Sequence, residues 1–228
     1  MEYKDFKTIA RQLRKPHGAL GKETGAMMNK GNKLMNLAAI EQLEINANDN
    51  ILEIGMGNGY FVKHVLANDK TIRYDGCDFS EIMVEDAIIS NKDYVENGQA
   101  RFTPANANNL PYINEHFNKV FTVNTIYFWD KIEEVLSEIR RVLKKDGLLI
   151  ISLRPKSVMD NIPVTKYGFK TFSKIDCIEL LTKHGFEIIN VIEEEDLDIE
   201  LFGEKFRNAF MIVKAIKNNM PVCPLFVK

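Results

Sequence analysis

A glycine-rich bend follows an apolar segment in the first third of the chain. Its sequence is Ile51-Leu52-Glu53-Ile54-Gly55-Met56-Gly57-Asn58-Gly59-Tyr60-Phe61. Glycines at such a bend let the backbone turn tightly and approach a ligand closely, and a helix behind them presents free amides to an anionic group. Glu53 can accept a hydrogen bond from an amine at the same edge, so the two features together suit an amino acid. The alternative is an ordinary glycine turn between a strand and a helix.

A second carboxylate ends the next strand candidate. Asp78 lies about twenty residues after the glycines, a position from which an acid can accept hydrogen bonds from both ribose hydroxyls of a nucleotide. Phe79, the next residue, offers an apolar face to a purine. Two alternatives stay open, since Asp78 could instead cap the helix that begins near Ser80, and Phe79 could be a core aromatic.

Four motifs in a fixed order carry a resemblance to a known family. They are the glycine bend, Gly76-Cys77-Asp78-Phe79-Ser80, Asn106-Ala107-Asn108-Asn109-Leu110-Pro111-Tyr112 and Arg140-Arg141-Val142-Leu143-Lys144-Lys145-Asp146-Gly147. With these motifs the chain resembles a class I S-adenosylmethionine-dependent methyltransferase of the small-molecule type from residue 50 to residue 216. The resemblance implies a Rossmann-like sheet of seven strands and S-adenosyl-L-methionine as the cofactor.

The resemblance also implies a set of cofactor-binding residues. Glu53 and the glycines line the methionine end, Asp78 holds the ribose and Phe79 packs on adenine. Asn106 stands where the family often has an aspartate, and its neutral amide makes a weaker hydrogen bond to adenine than a carboxylate would. The full set is Glu53, Gly55, Met56, Gly57, Asp78, Phe79, Asn106, Ala107 and Asn124.

The tip of the fourth strand candidate faces the methyl group in this family. Enzymes resembling amino-directed nucleic-acid methyltransferases carry two prolines there, which stiffen the loop around a flipped base. Here Asn124 and Tyr127 keep the outer spacing, but Thr125 and Ile126 replace the prolines. The chain also has no basic excess, so we expect a small-molecule acceptor and no nucleic acid.

Aromatic side chains are the candidates for the acceptor pocket. Tyr127 and Trp129 lie at this strand tip, and Tyr167 and Phe169 lie in the long connection 154–172. Loops at this end of an α/β sheet build the binding crevice, and aromatic faces tolerate a sulfonium cation. Core packing is the alternative for the aromatics at the tip.

Residues 1–49 form a predicted N-terminal helical cap or lid, and residues 50–228 form the predicted Rossmann-like methyltransferase domain. Helix candidates cover 3–13 and 33–43, whereas the segment 14–32 between them is predicted to be too rich in glycine for a continuous helix. This segment is either a lid that closes over the substrate or a mobile connector. In a lid, His17 would reach the acceptor and could take a proton near neutral pH. His17 and Tyr127, the latter at the tip of the fourth strand candidate, are therefore the candidate catalytic bases.

From residue 50 onward, short β-branched runs alternate with amphipathic stretches, the pattern of βαβ units. The strand candidates are 51–54, 72–77, 100–103, 119–124, 148–153, 186–192 and 209–216, and the helix candidates between them are 59–67, 80–90, 131–143 and 173–184. Residues 193–206 join the last two strands with one turn of helix at most. The pattern therefore predicts a doubly wound, mostly parallel sheet with helices on both faces and an antiparallel last strand.

The composition of the chain argues against a membrane protein, a secreted protein and a metal-binding protein. The 228 residues carry a net charge of −2 and suit one large domain with a modest appendage. The longest apolar run, 148–151, is too short to span a bilayer, and the first residues lack the apolar run of a secretory signal. Cys77, Cys177 and Cys223 are odd in number and lack metal-ligand spacing, so we expect free thiols in the cytoplasm and no metal.

The predicted function is methyl transfer to a small, apolar or aromatic acceptor by in-line displacement, in which the protein mainly aligns the reactants and excludes water. Two other classes stay open. A domain that binds the cofactor without catalysis carries the same motifs. A nucleotide-cofactor oxidoreductase fits less well, because Tyr60 stands where the dinucleotide fingerprint requires a glycine.

Overall fold

The computed structural model of the protein describes residues 5–67, 69–201 and 203–218. Its centre is a seven-stranded sheet. The strands are β1 (Asn50–Ile54), β2 (Arg73–Asp78), β3 (Ala100–Pro104), β4 (Phe117–Val123), β5 (Leu143–Leu153), β6 (Phe186–Leu201) and β7 (Glu204–Lys217). Each lies where a β-branched run predicted a strand, so the predicted α/β class is confirmed.

The strands run in the order β3-β2-β1-β4-β5-β7-β6. The neighbours from β3 to β5 are parallel, whereas β7 is antiparallel to both β5 and β6. The mostly parallel sheet with an antiparallel last strand is therefore confirmed. The chain leaves β1 toward β2 and β3 and then returns to β4 on the other side of β1. This reversal opens a crevice at the carboxyl ends of β1 and β4.

Helices cover both faces of the sheet. Within the described residues the α-helices are α1 (Phe6–Arg14), α2 (Gly18–Gly31), α3 (Lys33–Gln42), α4 (Val62–Leu66), α5 (Glu81–Ser90), α6 (Lys92–Glu96), α7 (Ile132–Val142), α8 (Lys156–Met159) and α9 (Lys174–Lys183). Short 3-10 turns occupy Ile126–Phe128 and Pro163–Lys166. The predicted helices are present, and α9 begins with a capping box between Ser173 and Asp176.

Alternate residues of the central strands build two separate cores, because successive side chains of a strand point to opposite faces. Ile51 and Ile150 belong to a buried cluster with residues of α3, α4 and α5. Leu52 and Ile151 belong to a second cluster with residues of α7 and α9. Met35 of α3 is fully buried in the first cluster. Helix α3 thus shares the sheet's core, and the division of the chain at residue 49 stays a prediction.

The segment 14–32 differs from its prediction, because most of it forms helix α2. Glycine lowers helix propensity by about 1 kcal/mol relative to alanine. Gly21 and Gly25, however, fall on the buried side of this helix. A Cβ on Gly25 would lie 3.2 Å from Met83 Sδ, so the missing side chain lets α2 approach α5. Packing outweighs propensity here.

The predicted connection 193–206 is also wrong, because β6 and β7 continue through it as a long antiparallel hairpin. Ile199 and Phe206 in this extension pack with Ile9 of α1 and Val158 of α8 in a third, smaller apolar cluster. Apolar residues at 197 and 199 alternate with acidic ones, which is the period of a strand. The extension supports the N-terminal helices from one side.

Within the described residues, no helix is both long and apolar enough to cross a membrane. Cys77 and Cys177 are buried free thiols. Cys223 lies outside the described residues, and so do the first two residues of the predicted helix 3–13.

Candidate functional site

A cavity of about 300 Å³ lies in the crevice at the carboxyl ends of β1, β2 and β4. Its volume is at the lower end of the range for small-molecule sites. Every residue predicted to bind the cofactor lines it, namely Glu53, Gly55, Met56, Gly57, Asp78, Phe79, Asn106, Ala107 and Asn124. These residues come from four separate segments of the chain, so the fold brings them together.

The glycine bend after β1 borders this cavity in a left-handed conformation. Gly55, Gly57 and Gly59 have φ values of 75°, 57° and 69°, which side chains other than that of glycine rarely allow. A Cβ on Gly55 would collide with the methyl group of Thr125, whereas a Cβ on Gly57 would have nothing within 4 Å. Gly55 is therefore required by the close approach of the β4 tip, and Gly57 by the backbone conformation alone.

Glu53 and Asp78 are buried carboxylates that line the same cavity. Glu53 Oε2 accepts a hydrogen bond of 2.5 Å from the Tyr74 hydroxyl. Asp78 accepts hydrogen bonds from the backbone amides of Gly57 at 3.1 Å and Ser80 at 2.8 Å. Neither carboxylate forms an ion pair among the residues that the structure describes.

The burial of these carboxylates changes their ionisation. The pKa of Glu53 is raised to about 7, because loss of hydration and the nearby Asp78 raise it more than the hydrogen bond from the Tyr74 hydroxyl lowers it. Loss of hydration raises the pKa of Asp78 to about 6, against the lowering effect of its two backbone hydrogen bonds. Lys15 lowers the pKa of Asp78 electrostatically without forming an ion pair with it. Two buried acids with no ion-pair partner among the described residues fit a ligand that supplies an ammonium group and hydroxyl donors.

The capping alternative for Asp78 is partly realised. Asp78 accepts from the Ser80 amide, and Ser80 is the N-cap residue of α5. The Ser80 hydroxyl does not cap this helix, because it donates to the carbonyl oxygen of Pro16 at 2.6 Å. The linker between α1 and α2 is thereby held over the end of β2.

Phe79 and Asn106 line the part of the cavity next to β2 and β3. The Phe79 ring is half-buried, and the Lys15 Nζ lies 5.3 Å from its centroid, a distance at which a cation is attracted to an aromatic face. The Asn106 side chain is exposed, and its oxygen accepts a hydrogen bond of 3.3 Å from the Asn108 amide. One lone pair of that oxygen stays available for a ligand.

The three aromatic residues after β4 point in different directions. Phe128 and Trp129 line the cavity, and Tyr127 does not. The Tyr127 hydroxyl is buried, where it donates to Asn124 Oδ1 at 2.8 Å and accepts from the backbone amide of Arg154. Burial raises the pKa of Tyr127 well above its usual range. Because Ile126–Phe128 is a 3-10 turn rather than a strand, these side chains do not alternate between the two faces of the sheet, and for Tyr127 the core-packing alternative holds.

The connection 154–172 contributes less to the cavity than predicted. Tyr167 is half-exposed and Phe169 is partly buried, and neither is among the lining residues. The Phe169 ring packs behind Phe128, with the centroids 4.6 Å apart. The connection packs through Val158 and Val164 against α1, which carries it away from the cavity.

The N-terminal helices close the cavity on the side opposite the sheet. Its lining residues from this region include Arg14, Pro16, Gly25, Met28, Asn29 and Asn32. The Arg14 guanidinium pairs with the Asp130 carboxylate at 2.5 Å, so α1 meets the loop after β4 at the rim. The segment 14–32 thus borders the cavity, and its part as a lid or as a connector stays a prediction.

His17 is not brought to the cavity. Its side chain is exposed at the N-terminal end of α2. Its Nδ1 lies 3.0 Å from the Lys15 carbonyl oxygen, and its Nε2 lies 3.3 Å from Gln12 Nε2. The ring therefore contacts α1 and the linker rather than the strand tips.

Sequence reasoning expected the segment 14–32 and the tip of β4 to border the acceptor, but it did not single out four residues there that line the cavity, namely Met28, Asn32, Thr125 and Phe128. A signal for the first two was present, because glycines at 18, 21 and 25 recur at helical spacing. Such spacing is typical of a helix that packs closely through one face. Nothing in the local sequence distinguishes Phe128 from Tyr127 as the residue that faces the cavity.

Comparison with known proteins adds three findings. The model of the family described as methyltransferase domain matches residues 52–151. The chain is 30% identical to the uncharacterized methyltransferase YdaC of Bacillus subtilis over 132 residues, which cover 58% of this chain and 71% of YdaC. It is also 27% identical over 111 residues to the O-methyltransferase resE of Aspergillus sclerotiorum, covering 49% of this chain and 42% of that protein.

Solved structures share the fold. A Haloferax volcanii protein solved in complex with the Trm112 methyltransferase activator superposes with a TM-score of 0.76 at 16% identity, covering 86% of this chain and 94% of that one. A Thermotoga maritima structure described as a SAM-dependent methyltransferase has a TM-score of 0.64 at 25% identity, with coverage of 87% and 95%.

Proposed function

The chain belongs to the class I S-adenosylmethionine-dependent methyltransferases, and from this membership we propose that its cavity holds S-adenosyl-L-methionine beside a small acceptor molecule. The observation that carries the proposal is the pair of buried carboxylates, Glu53 and Asp78, in one cavity with the left-handed glycine bend. A cofactor with an ammonium group at one end and two ribose hydroxyls in the middle satisfies both acids.

The residues divide along the cofactor according to their chemistry. Glu53 would accept from the ammonium group, with Gly55 and Gly57 allowing the amino-acid end to lie against the backbone. Asp78 would accept from the ribose hydroxyls, and its backbone hydrogen bonds hold it in place. Phe79, with Asn106 and Ala107, would enclose the adenine. When bound, the cofactor supplies a methyl group activated by its sulfonium sulfur.

The protein's own part in the reaction is alignment and exclusion of water. Helix α2 and the tip of β4 enclose the space in which the acceptor would lie in line with the methyl group. Tyr127 takes no proton in this proposal, because its hydroxyl is engaged on both sides. His17 takes none either, because its ring is directed to Lys15 and Gln12. We therefore propose an acceptor whose nucleophilic atom needs no base from the protein, because this atom either carries no proton that must leave or ionises in water.

The acceptor side of the cavity is apolar with an ionic rim. Phe128, Trp129 and Met28 supply apolar surface, and Arg14 with Asp130 forms the rim. Such a wall suits an aromatic or lipid-like small molecule. The similarity to an O-methyltransferase of Aspergillus sclerotiorum also favours a small molecule with an oxygen acceptor.

Turnover against a defined acceptor panel tests this function. The purified full-length protein is incubated with S-adenosylmethionine and phenols, carboxylic acids, thiols or amines, and formation of S-adenosylhomocysteine is measured. We expect turnover with an apolar or aromatic member of the panel. Tight binding of S-adenosylhomocysteine without turnover on any member would instead indicate a cofactor-binding domain, and binding of NADH in its place would indicate an oxidoreductase.

A further inference from the structure

Four residues form a closed hydrogen-bonded ring beside the cavity, three through their side chains and Arg154 through its side chain and its backbone amide. Tyr127 and Asn124 follow β4, Arg154 follows β5, and Asn32 lies between α2 and α3. Asn124 and Asn32 line the cavity, whereas Arg154 and Tyr127 stand behind them. The ring therefore joins the segment between α2 and α3 to the ends of β4 and β5.

Arg154 sets the direction of the ring because every nitrogen of its side chain can only donate. The residue is 8% exposed. Its guanidinium donates to Asn32 Oδ1 at 3.2 Å, to the Gly31 carbonyl oxygen at 3.2 Å and to Asn208 Oδ1 at 2.7 Å. A buried cation held by neutral oxygens keeps all of these acceptors pointing toward it.

The other half of the ring fixes the same orientation. The Tyr127 oxygen accepts from the Arg154 backbone amide, so its own proton goes to Asn124 Oδ1 at 2.8 Å. The Asn124 amide nitrogen then donates to Asn32 Oδ1 at 3.0 Å. Two donors thus converge on the oxygen of Asn32.

The consequence is that the amide nitrogen of Asn32 points away from the ring. Within residues 5–67, 69–201 and 203–218, no group accepts a hydrogen bond from Asn32 Nδ2. The Asn32 side chain is half-buried and lines the cavity. Two N–H donors, held by a ring that admits only this orientation, are therefore available to a ligand.

These donors lie near the glycine bend. Asn32 contacts Asn124. Thr125 follows Asn124 in the chain, and its methyl group lies against Gly55. The amino-acid end of the cofactor, assigned to this bend under the proposed function, has a carboxylate as well as an ammonium group. Glu53 suits the ammonium group and repels the carboxylate, which needs donors from another residue.

We propose that Asn32 donates a hydrogen bond to the carboxylate of the bound cofactor, and that Arg154 is the positioning residue that fixes the orientation of the Asn32 amide. The proposal rests on the proposed function, since it concerns the same cavity. Because Asn32 lies between α2 and α3, the proposal gives the N-terminal segment a direct part in recognition of the amino-acid end.

Asn32→Asp is the direct test. Aspartate keeps an oxygen facing Arg154 and Asn124 but replaces the donor with a negatively charged acceptor. Isothermal titration calorimetry compares S-adenosylhomocysteine with 5′-methylthioadenosine, which has the same adenosine and sulfur and no carboxylate. We expect a loss of about tenfold or more for S-adenosylhomocysteine, and an affinity for 5′-methylthioadenosine within about twofold of wild type.

Asn29→Asp is the matched control, since Asn29 lies on α2, lines the same cavity and undergoes the same change of charge. The ratio of the affinity for S-adenosylhomocysteine to the affinity for 5′-methylthioadenosine should stay closer to wild type in Asn29→Asp than in Asn32→Asp. Arg154→Lys keeps the cation but removes the forked donor, so it should lower the ratio in the same direction. In the double variant that combines Arg154→Lys with Asn32→Asp, the loss of affinity for S-adenosylhomocysteine should be smaller than the sum of the losses in the two single variants.

Three results would overturn the proposal. One is an unchanged affinity of Asn32→Asp for S-adenosylhomocysteine, and another is an equal loss for both ligands. The third is the same change of ratio in Asn29→Asp, which would indicate a general effect of charge. If the wild-type protein binds neither ligand, the proposed function fails as well. Circular dichroism and thermal unfolding of each variant identify a loss of fold.

Discussion

At the scale of single residues, strand β2 offers two buried carboxylates that differ in one respect. Asp78 lines the cavity, whereas Asp75 does not and instead accepts a hydrogen bond of 2.5 Å from Arg101. We expect Asp78→Asn to weaken binding of S-adenosylhomocysteine by about 1–3 kcal/mol, the cost of a lost hydrogen bond to a charged group. Calorimetry should give Asp75→Asn an affinity close to wild type. Equal effects of the two substitutions would remove Asp78 from the binding site.

Glu53 makes stability depend on pH in a direction that can be worked out. Its pKa is raised from 4.5 to about 7 in the folded protein, so the folded state holds more protons than the unfolded state between these values. Stability then falls as pH rises through this window. Below the window the buried carboxyl is neutral in both states, and above it the full cost of burying the charge is present.

Glu53→Gln should therefore remove part of this pH dependence. For a folded pKa of about 7, the wild-type free energy of unfolding should drop by on the order of 1 kcal/mol between pH 6 and pH 8 through this residue. Glutamine can still accept from Tyr74 and does not titrate. Urea unfolding at the two pH values measures the difference, and an identical drop in both proteins would contradict the assignment.

At the scale of elements, helix α2 carries two glycines with contrasting surroundings. A Cβ on Gly25 would lie 3.2 Å from Met83 Sδ and 3.4 Å from Asn58 Nδ2, whereas a Cβ on Gly31 would meet nothing within 4 Å. Gly25→Leu should push the helix away from the glycine bend at a cost of about 1–3 kcal/mol. Gly31→Leu should leave the packing unchanged.

The expected readout is a weaker affinity for S-adenosylhomocysteine and slower turnover in Gly25→Leu alone. Circular dichroism of both variants checks that the sheet and its other helices remain folded. If Gly25→Leu binds the ligand as tightly as Gly31→Leu does, the close approach of α2 to α5 has no part in forming the cavity.

At the scale of the whole molecule, a ligand that spans the segments of the cavity should stabilise the fold as a unit. At a concentration of about one hundred times its Kd, S-adenosylhomocysteine should add roughly 2.7 kcal/mol and raise Tm by roughly 5–10 °C. Thermal unfolding by differential scanning calorimetry measures this shift. NADH at the same concentration should give none, and a shift with NADH alone would contradict the cofactor assignment.

The sequence determined most of the sheet and the residues at its cavity edge. Short β-branched runs located each strand, though not the extension of β6 and β7 through 193–206. In the central strands β1 and β4, burial on both faces demands that composition. The glycine bend and Asp78 could be located because left-handed backbone and an acid at a strand end have signatures a few residues long. Each of these features depends on chemistry within one segment, so the segment's own residues suffice to predict it.

Only the tertiary structure decided which side chains face the cavity from the covering side. Residues 18–31 are helical because α5 packs against their glycines, a contact between distant segments. Tyr127 turns away from the cavity and Phe128 toward it because the backbone amide of Arg154, which follows β5, donates a hydrogen bond to the Tyr127 hydroxyl. His17, chosen for its chemistry, faces Gln12 instead. Side-chain direction in such segments is set by partners far away in the sequence, which no local pattern encodes.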